Sequence, residues 1–180
     1  VIEGPGTGIN YIDYVNLDAS PDKEVVVSWQ LSDQLHFLSA YSVSSEQVVE
    51  LLRTDYTTFK LYDMDRDSNE EVLILNTRPE GGSEVELYDF RDGLMVPDSI
   101  APLSKNIGAV QEEGMRKGYL RDSVPALFVT SELSNGINET SSGQITDILV
   151  WEQKNGNARK QLRNITLQPE SNTSEGTLNI

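Results

Sequence analysis

The apolar residues of this chain are grouped in short runs, separated by segments rich in Asp, Asn, Ser and Gly. The clearest runs are 25–27, 72–75 and 126–129. Runs of this length that are rich in Val, Ile and Leu indicate short buried β-strands, because a helix would need about ten or more residues with a 3.6-residue period. Two stretches, 44–52 and 102–116, leave a helix open as an alternative.

Glycine-containing pairs follow several of these runs at positions typical of β-hairpins. The pairs at 81–82, 92–93 and 155–156 read Gly-Gly, Asp-Gly and Asn-Gly. Glycine supplies the positive φ that tight hairpin turns need. The pattern therefore predicts groups of three or four antiparallel strands joined by short turns.

The strand pattern repeats along the chain. The segment 16–27 aligns with the segment 63–74 at an offset of 47 residues, and Tyr41 falls on Tyr88 at the same offset without a gap. Two matching anchors at one offset indicate a true internal repeat, and a period of this length is typical of stacked repeat architectures.

A third and degraded copy follows in the second half of the chain. The segment 118–129 keeps the order strand, loop, strand, and 148–156 resembles 85–93, which places Trp151 at the position of the two repeat tyrosines. The polar, glycine-containing segment 133–143 separates the two parts of this third copy and predicts a surface loop.

A four-stranded unit that repeats every 40–50 residues is typical of a β-propeller blade, which must bury both faces against its neighbours. The sequence thus predicts an all-β fold in which antiparallel repeats form a partial propeller-like arc, with a β-sandwich as the alternative. Three blades do not close a ring. The predicted single repeat domain spans 1–167, with units at about 11–57, 58–105 and 115–167, and 168–180 is a tail or the start of a further unit.

The second repeat carries an acidic loop, residues 63–71, immediately before its apolar strand. Oxygen ligands at positions 1, 3, 5 and 9 of a short loop can converge on one hard cation, and Ca²⁺ accepts six to eight oxygens. The predicted metal ligands are Asp63, Asp65, Asp67 and Glu71. The loop is not an EF-hand, because Ser68 stands where that motif has glycine and a strand follows instead of a helix.

The first repeat carries a weaker version of this loop, residues 16–24. Its candidate ligands are Asn16, Asp18, Ser20 and Glu24. Pro21 occupies the position that favours left-handed geometry, which its fixed φ does not allow. The third copy keeps only Asp122. In each loop the acidic side chains have an alternative role as acceptors for backbone N–H groups in turns, and a basic side chain is an alternative to a metal at the acidic loop.

Charge and composition narrow the classes of partner. The net charge is −15, with 14 Lys and Arg against 29 Asp and Glu, which argues against nucleic-acid binding. The absence of cysteine excludes disulfides, thiolate metal sites and a cysteine nucleophile. The sequence shows no run of about 18 apolar residues and no basic-then-apolar leader. We therefore expect no transmembrane segment, and we interpret the chain as a mature or trimmed fragment whose targeting signal, if it had one, has been removed.

The acidic loop with its following strand, and its echo at 16–27, resembles the FG-GAP/VCBS-type repeats of bacterial surface proteins and integrin-like propellers. In that family the repeat is a propeller blade and the Asp-rich loop holds Ca²⁺. The chain is also similar to uncharacterised lipoproteins of Gram-positive gut bacteria that carry such repeats. These resemblances imply export and anchoring to a bacterial cell envelope, with a possible lipid anchor on a removed N-terminus, and they imply no known activity.

The residue list offers little for catalysis. The one histidine, His36, lies in a predicted strand, and the chain contains neither a Gly-x-Ser-x-Gly elbow nor a Gly-rich phosphate loop. Trp29 and Trp151 could stack on sugars but fit core packing better. We therefore expect a monomeric, non-catalytic extracellular binding module for a protein or glycan ligand. The alternatives are a purely structural spacer and an accessory or catalytic domain of a carboxylate-dependent enzyme that acts on extracellular glycans.

Overall fold

The computed structural model describes residues 1–77, 82–104, 114–133, 143–153 and 160–167. Within these ranges the chain forms three antiparallel sheets of four strands each. The first sheet contains β1 (Gly8–Val15), β2 (Glu24–Ser32), β3 (Leu35–Val43) and β4 (Val48–Asp55). The second sheet contains β5 (Thr58–Tyr62), β6 (Glu71–Thr77), β7 (Ser83–Arg91) and β8 (Leu94–Pro102). The third sheet contains β9 (Met115–Tyr119), β10 (Pro125–Leu133), β11 (Gly143–Gln153) and β12 (Lys160–Asn164).

Each sheet is an up-and-down meander, in which every strand pairs with the next strand along the chain. The hairpin between β7 and β8 turns at Asp92 and Gly93, whose φ angles are 51° and 89°. Two successive residues with positive φ match the right-handed twist of the flanking strands, as the Asp-Gly pair predicts. The predicted turns at 81–82 and 155–156 lie wholly or partly outside the described residues.

The three sheets stack face to face, and β6 shows why. Its side chains alternate between two cores: Val72 and Ile74 pack against the first sheet, whereas Leu73 and Leu75 pack against the third. A strand that is buried on both faces requires an unbroken apolar run instead of an apolar–polar alternation. The expectation of an all-β fold built from repeated antiparallel sheets is therefore confirmed, and three open, stacked sheets are consistent with a partial propeller-like arc as well as with the sandwich alternative.

The outer face of the first sheet carries a third, smaller core of Val25, Val27, Trp29 and Tyr41. The N-terminal segment 1–7 covers part of this face. Its Ile2 packs against the core, and the Thr7 N–H donates a 2.8 Å hydrogen bond to the Gln30 carbonyl. Trp29 is consequently 7% exposed, which leaves it no surface for stacking on a ligand.

The helix alternative at 44–52 is wrong, because β4 begins at Val48 and pairs along its length with β3. Tertiary pairing overrides local preference here, and a bulge opposite Ala40 and Tyr41 disturbs the alternation that would have identified the strand. The second helix alternative, 102–116, lies mostly outside the described residues. Among the residues that are described, no helix is long and apolar enough to span a membrane.

The third repeat differs by one residue from the alignment in the sequence. Tyr41 pairs with Val25 and Tyr88 pairs with Val72, but the equivalent partner on β11 is Val150 and not Trp151. A slip of one residue moves a strand side chain to the opposite face. Trp151 therefore packs, half-buried, against the core between the second and third sheets.

Candidate metal centre

The acidic loop connects β5 to β6 and brings its four predicted ligands together. One carboxylate oxygen from each of Asp63, Asp65, Asp67 and Glu71 lies within 4.8 Å of the others. Ca²⁺ binds oxygen at 2.3–2.6 Å, so two ligands on opposite sides of one ion are separated by up to about 5 Å. The four oxygens thus have the spacing of a shared cation site, and this cluster could hold a metal ion.

Backbone N–H groups fix the aspartates of the acidic loop. Asp63 accepts hydrogen bonds from the Arg66 N–H at 2.6 Å and the Ser68 N–H at 3.1 Å. Asp67 accepts from the Asn69 N–H at 2.8 Å. These contacts are the turn-capping role that acidic residues also play without a metal. They hold the carboxylates in place while leaving further lone pairs for another ligand.

Glu71 is the buried member of the cluster, with 4% of its surface exposed. Its Oε2 accepts a 2.7 Å hydrogen bond from the Met64 N–H. Burial raises the pKa of the Glu71 carboxyl to about 8, and the negative charges of Asp65 and Asp67 add to the shift. In the metal-free protein Glu71 is therefore mostly protonated at neutral pH, and a bound cation would displace this proton.

A lysine that the sequence did not point to reaches this centre. Lys160, at the start of β12 in the third sheet, places its Nζ 3.1 Å from Asp65 Oδ2. A basic partner for the aspartates was one of the two expected ways to reduce their repulsion, and it is present. One lysine does not balance the charges of Asp63, Asp65 and Asp67, so the cluster retains an excess of negative charge.

The first loop repeats part of this design. Glu24 Oε2 accepts a 2.8 Å hydrogen bond from the Leu17 N–H, which corresponds to the Glu71–Met64 contact. Burial, with a contribution from Asp18, raises the pKa of Glu24. Asp18 Oδ1 in turn accepts from the Ser20 N–H at 2.7 Å. Only two of the candidate ligands of this loop are carboxylates, against four in the acidic loop, so its charge favours a cation less.

Asn16 joins the two loops. Its Nδ2 donates to the Ser68 carbonyl at 2.9 Å and to Asn69 Oδ1 at 3.0 Å. The Glu70 N–H donates to the Asn16 carbonyl at 2.7 Å. The amide nitrogen of this predicted ligand of the first loop thus supports the acidic loop of the next sheet. The linear sequence gives no sign of this contact, because it depends on how the two sheets pack.

The third loop has lost the features of a metal centre. It passes from β9 to β10 through a short 3-10 turn at Arg121–Ser123. Pro125 pairs with Tyr119, the position at which Glu71 pairs with Tyr62. The buried glutamate is therefore replaced by proline, and Asp122 is left as the single acid of this turn.

A groove lies beside the acidic loop, between the edge strands β1 and β5, and His36 is part of its wall. Glu70 belongs both to the acidic loop and to this groove. Tyr11 and Asp13 alternate along β1 on the face that meets the second sheet. This alternation is the sequence pattern from which the groove could have been predicted.

No protein-family model matches the chain, and no curated protein matches it significantly.

Proposed function

We propose that this chain is a non-catalytic, extracellular binding module whose second repeat is stabilised by Ca²⁺ at the acidic loop. The observation that carries the proposal is the convergence of Asp63, Asp65, Asp67 and Glu71 within 4.8 Å. An all-protein set of carboxylates suits Ca²⁺, whose coordination is flexible, better than Mg²⁺, which keeps several waters. The blade-like repeats support a kinship with FG-GAP/VCBS-type surface proteins, and with it an exported, envelope-anchored location.

The metal would tie together two parts of one repeat. The acidic loop follows the edge strand β5, and Glu71 is the first residue of the buried strand β6. A cation bound by both ends of the loop would fix the start of β6 against the end of β5. This role is structural, and it leaves the neighbouring groove and the exposed loops for ligands.

A thermal melt tests the metal. The chain is melted in excess EDTA, then with millimolar CaCl₂, then with millimolar MgCl₂. A ligand that binds only the folded state stabilises it by about 2.7 kcal/mol at a hundredfold excess over Kd. For a chain of this size that corresponds to a rise of roughly 5–10 °C in Tm. We expect the rise with Ca²⁺ and its loss in Asp65→Ala.

Three further variants make this test specific. Asp122→Ala removes an acid outside the cluster and should keep the full Ca²⁺ response. Asp18→Ala should also keep it, unless the first loop binds a second ion. Lys160→Met removes the cation that contacts Asp65 and should bind Ca²⁺ more tightly. An unchanged Tm with Ca²⁺ in the wild-type chain would show that the acidic loop is a turn stabilised by its own hydrogen bonds and Lys160.

A further inference from the structure

The groove between the first and second sheets has the size of a ligand site. It is bounded by the edge strands β1 and β5, with Lys117 contributed by β9 of the third sheet. Its volume is about 650 Å³, within the range of roughly 300–1,000 Å³ that is usual for small-ligand sites. Thirteen residues line the groove, among them Tyr11, Asp13, Tyr56, Phe59, Glu70 and Lys117. We call it the central groove.

Four rings form a continuous aromatic wall in the central groove. Tyr11 and Tyr56 both contact Phe59 edge-on, at centroid distances of 5.3 Å and 5.0 Å. His36 continues the wall beyond Tyr56 at 5.9 Å. Tyr11, His36 and Phe59 lie on β1, β3 and β5, and Tyr56 lies in the short connection from β4 to β5. The packing of the two sheets holds these segments in place, so the wall is formed before any ligand arrives.

Hydrogen bonds at the ring hydroxyls fix the orientation of the two tyrosines. The Tyr11 hydroxyl donates a 2.8 Å bond to Asp13 Oδ2, and the Tyr56 hydroxyl is hydrogen-bonded to the buried Ser28 Oγ. Tyr11 nevertheless remains 36% exposed. Its ring is thus held in one orientation and is accessible, which lowers the entropic cost of stacking a ligand on it.

The polar lining of the central groove carries charges that cancel. Eight of the thirteen lining side chains are non-aromatic and end in nitrogen or oxygen, and the acids Asp13 and Glu70 are balanced by Lys60 and Lys117. The whole chain has a net charge of −15. A groove without net charge in so acidic a protein favours an uncharged ligand that needs both donors and acceptors.

We propose that the central groove binds a neutral saccharide, which packs the C–H face of a pyranose ring against the aromatic wall and places its hydroxyls among the acidic, amide and lysine side chains. A pyranose combines one apolar face with a hydroxyl on most ring carbons, and each hydroxyl both donates and accepts. The inference rests on the proposed function for its binding role, but none of the four metal ligands lines the groove.

A proline-rich peptide is the other ligand that docks on aromatic grooves. Such a peptide presents few hydrogen-bonding groups, because proline has no N–H and its ring is apolar. The polar lining of the central groove would then lose contact with water without gaining hydrogen bonds from the peptide, which costs binding energy. The balance of polar and aromatic lining therefore favours the saccharide.

The test is a binding screen followed by calorimetry on the 180-residue chain. The screen presents immobilised neutral oligosaccharides of glucose, galactose, mannose, xylose and N-acetylglucosamine, with heparin and a proline-rich peptide as counter-probes. The tightest neutral saccharide is then titrated into the wild-type chain in EDTA and in Ca²⁺. Binding in both solutions, or in Ca²⁺ alone, supports the inference.

Three variants locate the site. Tyr11→Ala should lose roughly three- to tenfold in affinity, because one stacked ring is removed, and Tyr11→Phe should restore most of it. Tyr14→Ala is the matched control: it lies on the same strand and is exposed, but it pairs with Val25 on the opposite face of the sheet. It should bind like the wild type. Near-equal melting temperatures show that each variant is folded.

The inference is overturned if no neutral saccharide binds the folded wild-type chain, if only heparin or the peptide binds, or if Tyr11→Ala binds as tightly as Tyr14→Ala. These outcomes leave the proposed metal untouched, because its readout is the Ca²⁺-dependent melt. If Ca²⁺ did not raise the Tm but the saccharide still bound, the proposed metal site would be refuted and the proposed saccharide site would stand.

Discussion

A buried glutamate occupies the same place in the first two repeats. Glu24 and Glu71 are each the first residue of a buried strand, and each accepts the N–H of the residue seven positions earlier. Those residues, Leu17 and Met64, are themselves buried. The glutamate therefore closes the loop over a buried apolar side chain. The third loop, which lacks this glutamate, is shorter than the other two.

The pKa of Glu71 makes the stability of the metal-free protein depend on pH. The folded state keeps the proton up to about pH 8, whereas the unfolded chain releases it near 4.5. The folded state thus binds more protons between these values, and the free energy of unfolding falls as the pH rises through them. Glu71→Gln keeps an acceptor for the Met64 N–H without a charge, and in EDTA it should gain stability over the wild type towards pH 9, by an amount of order a few kcal/mol.

Urea unfolding in EDTA, from about pH 5 to about pH 9, measures this difference. Glu70→Gln is the control, since the neighbouring side chain lies in the groove and not in the cluster. Identical pH profiles for Glu71→Gln and the wild type would mean that Glu71 is ionised in the folded protein.

Ser68 adopts a backbone conformation that suits glycine. Its φ of 79° lies in the left-handed region, where a Cβ atom costs about 1–2 kcal/mol. Ser68→Gly should remove this strain, and after the larger entropy of the unfolded chain is subtracted it should stabilise the protein by up to about 1 kcal/mol. Ser20→Gly in the first loop should destabilise instead, because it loses the 2.9 Å hydrogen bond from Ser20 Oγ to the Asp22 carbonyl.

Thermal or urea unfolding of the two serine variants checks the sign. A loss of stability in Ser68→Gly would show that the Ser68 side chain contributes more than its strained backbone costs.

The grouping of the four carboxyl residues was predictable because they lie in one short loop, whose spacing alone limits how far apart they can be. Lys160 was not predictable, since it is separated from Asp65 by 95 residues and reaches it only through the stacking of the second and third sheets. Asn16 contacts the acidic loop for the same reason. Contacts within a loop follow from spacing, whereas contacts between sheets require the fold.

Most strands were predictable because each repeat contains a buried apolar run and a turn signal. The strand β4 was ambiguous, since its burial follows neither a two-residue nor a helical period. The structural role of the N-terminal segment could not be predicted from its residues. It has no strand pattern, and its role as a cover for Trp29 becomes visible only in the packed structure.

The N-terminal segment contains a position where only glycine fits. A Cβ atom on Gly4 would lie 2.2–2.4 Å from three ring atoms of Trp29. Gly4→Ala should therefore push the segment off the outer face of the first sheet or shift the indole, at a cost of about 1–3 kcal/mol. Gly8→Ala is the matched control, because its nearest contacts are 3.7 and 3.9 Å away on the Gln30 side chain.

Tryptophan emission reports this change directly in a Trp151→Phe background, where Trp29 is the only tryptophan. We expect a red shift and a lower Tm in Gly4→Ala, and neither in Gly8→Ala. An unshifted emission and an unchanged Tm in Gly4→Ala would show that the segment does not pack on Trp29.

At the scale of the whole molecule, the stacking of repeats was predictable and the register of the third repeat was not. A period of 47 residues specified blades that must cover each other, because a sheet with two apolar faces cannot stand alone. The third repeat has an insertion and a shorter loop, so its alignment slipped by one residue at Trp151. The slip matters little for the fold, since both Val150 and Trp151 find an apolar environment.

We expect the middle sheet to make the three repeats one cooperative unit. Its strand β6 contributes to the cores on both sides, so the loss of either interface exposes apolar surface at the other. The two tryptophans lie in the outer sheets, Trp29 in the first and Trp151 in the third. Urea unfolding of Trp29→Phe and Trp151→Phe should therefore follow one transition each, and each should coincide with the loss of far-UV circular dichroism for that variant.

Substitutions in β6 extend this test to the coupling itself. Ile74 faces the first sheet, yet Ile74→Ala should lower the urea midpoint followed by Trp151 as well as that followed by Trp29. The expected loss in the free energy of unfolding is about 2–5 kcal/mol, as is typical of one emptied core position. Leu73→Ala, on the opposite face, should do the same to Trp29. If Ile74→Ala shifted only the Trp29 transition, the repeats would unfold independently, and a metal at the acidic loop would stabilise its own blade without strengthening the arc as a whole.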